Sequence, residues 1–176
     1  ARVHGSEVAS YEKALDWFGR NLEGQSARPL VLRDLAIVHK YLATADPRLE
    51  RKLLHAGEAL RFDRQRVETD AADANARIDL GYSVVAYGDA LARQRDWKGA
   101  WRHYREGYEM RKALAQADPQ NLFVRRSLVY PNRERGLVAL RLAEWGDLNA
   151  VIEELEWQRK FGVKMEASDE GLFAYL

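Results

Sequence analysis

Displacing the sequence by 48 residues lays it onto itself: Arg77, Leu80, Tyr82, Gly88, Arg93 and Trp97 fall on Arg125, Leu128, Tyr130, Gly136, Arg141 and Trp145. A recurrence of this length restricts the fold more than any single motif, because it demands one structural unit used several times. An upstream copy enters at an offset of 45, where Arg33-Asp34-Leu35 meets Ile78-Asp79-Leu80. On this alignment the period drifts between about 45 and 51, and the first copy reaches its turn, Asp46-Pro47, about three residues early.

The unit is helical. From Leu80 the apolar positions Val84, Tyr87 and Leu91 recur at threes and fours. Beyond a turn near Arg95-Asp96, the residues Ala100, Tyr104, Gly107 and Met110 do the same. That spacing lines one face of an α-helix, and no alternating strand pattern competes with it. Asp96 is placed to cap the second helix, since its carboxylate can accept an orphan backbone N–H. Gly146-Asp147 has the same look, glycine closing one helix and aspartate opening the next. Asp46-Pro47 and Asp118-Pro119 mark further breaks, because proline removes a helical donor and clashes with the preceding turn. Pro131 stands where the second copy has Ser83, so the third copy's first helix must start near Tyr130 or kink there. Each period is then two antiparallel helices, and the fold class is all-α.

The succession Tyr87-Gly88, Leu91, Ala100, Tyr104, Gly107 resembles the signature of the tetratricopeptide family. In that family small residues let paired helices approach, and aromatics fill the gaps between units. Ala117-Asp118-Pro119-Gln120-Asn121, followed by Arg125-Arg126-Ser127-Leu128, resembles the long-period repeats that follow kinase domains in some bacterial serine/threonine kinases. The resemblance implies a right-handed superhelical array of antiparallel hairpins over residues 7–160. It comprises about three hairpins and an N-terminal half-repeat carrying Ala14 and Phe18. Residues 161–176 match no copy and are expected to form a capping segment, with Leu172, Phe173 and Leu176 covering the last apolar face.

The resemblance also implies a function: a non-catalytic scaffold or regulatory module holding a protein or peptide in a concave groove, as the tail of a larger signalling chain. Transferring the family's groove positions selects Lys40, Tyr41 and Thr44, then Tyr82, Asp89 and Arg93, then Tyr130, Arg133 and Arg141. The recurring pairs Tyr82/Tyr130 and Arg93/Arg141 suit an acidic peptide, because guanidinium grips carboxylate bidentately and tyrosine adds contact area at low entropy cost. The alternative role for these residues is solvated helix-face charge and packing between units. The carboxylate clamp of some relatives needs asparagines where this chain has Thr44 and Ala86, so that specificity does not transfer.

Other functions have little to stand on. No cysteine is present, which removes disulfides, thiolate metal sites and a cysteine nucleophile, and leaves the compartment open, with the cytoplasm favoured for a soluble domain. The net charge of +1 comes from 28 basic and 27 acidic residues mixed along the chain, unlike the concentrated positive charge of nucleic-acid binders. The segment has no membrane-spanning run and no phosphate-cradling glycine loop. His4, His39, His55 and His103 are scattered and read as surface or hairpin-packing residues. No metal, cofactor or catalytic group is therefore expected. Trp97 and Trp145 are expected to pack hairpin on hairpin, with Trp17, Trp101 and Trp157 in the second helices. Self-association through an uncovered end is the rival to partner binding.

Overall fold

The computed structural model describes residues 2–21 and 28–160, with side chains from residue 6 and without those of 157–158. Eight helices and no strand occur among them: α1 (Arg2–Asn21), α2 (Pro29–Ala45), α3 (Leu49–Thr69), α4 (Ala74–Arg93), α5 (Trp97–Ala117), α6 (Leu122–Arg126), α7 (Val129–Leu142) and α8 (Trp145–Lys160). The expected capping segment, 161–176, and the side chain of Trp157 lie outside the described residues. The chain divides into two compact units, Ala1–Gln94 and Arg95–Leu176. In the first, α2 packs on α1 and α3, and α3 on α4; in the second, α7 packs on α5 and α8.

Most helix boundaries carry the repeat at a constant interval, although α2 opens 45 residues before α4. Leu49, Trp97 and Trp145 open α3, α5 and α8 at intervals of 48, and Ala74 and Leu122 open α4 and α6 at the same interval. Asp73 and Asn121, again 48 apart, both cap with their side chains, accepting N–H bonds from Ala76 (3.0 Å) and Val124 (3.2 Å). Burial follows the register: Leu32, Leu80 and Leu128 are all buried, as are Ala56, Tyr104 and Ile152. This corrects the 45-residue offset for the first copy. Leu32, not Leu35, matches Leu80, and the Asp46-Pro47 turn falls in step with Gln94-Arg95 rather than early.

The turns explain themselves locally. Arg95 (φ 63°) and Ala143 (φ 58°) are the only non-glycine residues with positive φ among the described ones, and they too are 48 apart. The first copy has Pro47 there, whose ring forbids positive φ. Its turn is held by Asp46, fully buried, which accepts from the Arg48 backbone N–H at 2.9 Å and from its guanidinium at 3.0 and 2.9 Å. Asp96 caps α5 as expected, accepting from the Gly99 N–H at 2.9 Å. Gly146-Asp147 does not form the next turn. Both residues lie inside the first turn of α8, and the reversal occurs at Ala143-Glu144, where the Glu144 N–H reaches back to the Ala139 carbonyl at 2.9 Å. Asp147 instead accepts from the Trp101 indole N–H at 2.9 Å.

Pro131 breaks its helix early. It has no N–H for the Ser127 carbonyl, so α6 stops at Arg126 and α7 begins at Val129. The freed Ser127 oxygen accepts from the buried Arg111 guanidinium at 2.7 Å. An orphaned buried carbonyl would cost about 1–3 kcal/mol, so this contact is what makes the break tolerable.

Candidate functional site

Helical geometry puts Tyr82, Asp89 and Arg93 on one face of α4, because separations of 7 and 11 residues return to within about 20° of the start. Tyr130 and Arg141 share a face of α7 by the same spacing. Tyr82 is 38% exposed and Tyr130 40%, so both equivalent positions present part of an aromatic side chain to solvent. Arg93 and Arg141 are exposed at the far end of each face, about 16 Å along the helix axis. The Arg133 guanidinium lies 5.0 Å from the Tyr130 ring centroid and 2.9 Å from Glu134. Arg141 covers the Trp97 ring at 5.1 Å and donates to the Leu137 carbonyl. Arginine and tyrosine thus meet in the second unit, but the contact pairs Tyr130 with its neighbour Arg133.

The first copy does not extend this pattern. In the 48-residue register Asp34 and Ala45 occupy the places of Tyr82 and Arg93. Lys40 is engaged by an ion pair: its ammonium lies 2.8 Å from the carboxylate of Asp63, which is 1% exposed and also accepts the Ser83 hydroxyl at 2.5 Å. A cation committed to a buried carboxylate is held by the cost of leaving that charge alone.

Tyr41 and Thr44 are exposed, and they share the wall of an open cleft of about 470 Å³ with Glu7, Tyr11, Pro47 and Lys52. Tyr41 stacks flat on Tyr11 of α1, with ring centroids 5.0 Å apart and planes within 1°. Lys52 closes the α2 end of this cleft by donating to the Ala43 (3.2 Å) and Thr44 (2.6 Å) carbonyls, a cation at a helix C-terminus. Burial, with Arg93 nearby, holds the Lys52 ammonium below the ordinary lysine range.

Two tryptophans depart from the packing expected of them. Trp17 and Trp145 are 55% and 60% exposed, while Trp97 and Trp101 are half-buried. A second open cleft of about 650 Å³, in the second unit, is walled by Lys112, Ala115, Pro119, Arg125, Leu128 and Glu154. Sequence spacing gave no sign of it, since its residues come from α5, the following turn, α6, the α6–α7 link and α8.

The fold also joins two histidines that sequence spacing left apart. His39 of α2 and His55 of α3 face each other with 3.0 Å between their Nδ1 atoms. No cluster of three or more His, Asp or Glu side chains is arranged to hold a metal ion among the described residues. No described helix is long and apolar enough to cross a membrane. No protein-family model, curated protein or solved structure matches this chain.

Proposed function

We propose that this chain is a tetratricopeptide-like helical-repeat module that binds a protein or peptide through the first-helix faces of its repeats. The observation that carries the reading is the exposed Tyr82/Tyr130 pair at equivalent positions, each with an exposed arginine three turns along the same face. Tyrosine and arginine are the side chains that contribute most where partners meet, through rigid contact area and bidentate carboxylate binding. An acidic, apolar-anchored peptide is the partner this chemistry fits. A scaffold or regulatory tail of a bacterial signalling protein, its hairpins wound in a right-handed superhelix, is the setting that the tetratricopeptide resemblance supplies.

The test begins with random peptides displayed on phage and selected against the folded protein, with the enriched sequences synthesised. Tyr82→Ala and Tyr130→Ala should each weaken the enriched peptides about tenfold by fluorescence anisotropy. Arg93→Glu and Arg141→Glu should weaken acidic ones further. Unchanged affinity in all four variants would overturn the assignment of this face. Sedimentation across concentration separates the rival: dimerisation abolished by the same tyrosine variants would put a second copy where the partner is proposed.

A further inference from the structure

The contact between His39 and His55 is built so that one proton fits between the two rings. The Nδ1 atoms are 3.0 Å apart and the ring centroids 5.2 Å, so one nitrogen donates and the other accepts. Two N–H groups could not face each other at that distance. His55 is 5% exposed, and its Nε2 is buried with no hydrogen-bond partner. His39 is half-buried and lies against the Phe62 ring, 5.6 Å between centroids. A first added proton can go to an outer Nε2 and leave this bond in place; a second sets N–H against N–H between two charged rings and breaks it.

The surrounding charges are mixed. Arg61 and Glu58 of α3 act on His39; Arg51 and Glu58 of α3, Asp46 of the turn and Glu12 of α1 act on His55. Glu58 is committed to Arg61 at 2.6 Å, and Asp46 to Arg48 and Arg51. Neither carboxylate is free to receive an imidazolium without giving up a guanidinium. The first copy alone carries the pair, since Tyr87 stands 48 residues beyond His39.

We infer that the His39–His55 contact is an acid-sensitive latch on α2, the helix that also carries Tyr41 and Thr44, so that acidification loosens α2 and remodels the Tyr11/Tyr41 cleft. The link to partner binding rests on the function proposed above; the latch itself does not. Burial, reinforced by His55, lowers His39 from the ordinary 6.5 to about 4, and burial lowers His55 as well. Both groups thus bind protons more readily in the unfolded chain. Stability contributed by the neutral pair is present above pH 6.5 and is lost as pH falls toward 4. Asp46, lowered to about 2 by its hydrogen bonds from Arg48, loses its own contribution only below about pH 4, so the two windows are separate.

Urea unfolding followed by circular dichroism at pH 7.0, 6.0, 5.0 and 4.5 tests the latch. The folding equilibrium constant should fall at least about tenfold across this range, and the fall should shrink in His39→Gln and in His55→Gln and vanish in the double variant. Should either variant fail to fold, ¹⁵N spectra of the wild-type imidazoles carry the test, with titration of both rings below 6.5 expected. The chain has no cysteine, so nitroxides on Leu30→Cys of α2 and Gln65→Cys of α3 report the helix pair directly. Their distance distribution should broaden between pH 7.0 and 4.5. A flat wild-type stability, a slope kept by both variants, or titration at 6.5 would each overturn the latch, whether or not any peptide binds. Equal affinity for a display-selected peptide at pH 7.0 and 5.0 while α2 loosens would overturn its link to the binding site.

Discussion

Helix α4 and the α6–α7 pair occupy the same place in the repeat, 48 residues apart, yet one is continuous and the other is broken. A single position decides this. Ser83 in α4 keeps its backbone N–H and turns its hydroxyl to Asp63; Pro131 has neither group to give. The residue that serves each position has changed in step. Asp63 and Arg111 are themselves 48 apart, the first an acceptor for a hydroxyl, the second a donor to the carbonyl that proline leaves unpaired. Backbone break and side-chain compensation therefore form one unit of change, with Ser83, Asp63, Pro131 and Arg111 all buried.

The largest effect should come from forcing one copy's solution on the other. Ser83→Pro places a proline in α4, frees the Asp79 carbonyl and strips Asp63 of a partner. A loss of about 3 kcal/mol or more in urea unfolding is expected. Retention of wild-type stability would mean that α4 breaks as easily as its counterpart. Arg111→Met should cost about 1–3 kcal/mol, because the Ser127 carbonyl loses its donor. A cost near zero would show that water reaches that oxygen. Pro131→Ser restores the missing N–H while Arg111 remains, and its effect should stay within about 1 kcal/mol in calorimetry. The smallest changes concern a feature the two turns share. Arg95→Gly and Ala143→Gly remove the strain of positive φ, and each should raise stability by about 0.5–1 kcal/mol. Unequal gains would separate two turns that the repeat makes equivalent.

The helices were legible because their signals are local: threes-and-fours spacing, Asp96 as a cap, and Asp-Pro at the breaks. The register of the first copy was not. Arg33-Asp34-Leu35 offered a closer match in letters than Leu32 did, and only burial shows which leucine enters the core. Gly146 misled for a related reason, since a glycine near a turn invites assignment to it, whereas Ala143 accepts the left-handed conformation without glycine's help. Within the candidate site, Tyr82 and Tyr130 were found by recurrence. The commitment of Lys40 to Asp63 and the meeting of His39 with His55 depend on which helix faces come together, and residue spacing along one chain does not encode that.

The placement of the tryptophans has a practical consequence for watching this protein unfold. Of the five indoles, only Trp17 belongs to the first unit, and its ring is already more than half in water. Trp97 and Trp101 are half-buried in the second unit, with the Trp101 N–H tied to Asp147. Intrinsic emission is consequently a reporter for residues 95–176 and nearly blind to the rest. Loosening of α2 would leave the fluorescence trace flat while the helical circular dichroism fell, and the gap between the two signals would time the first unit's opening.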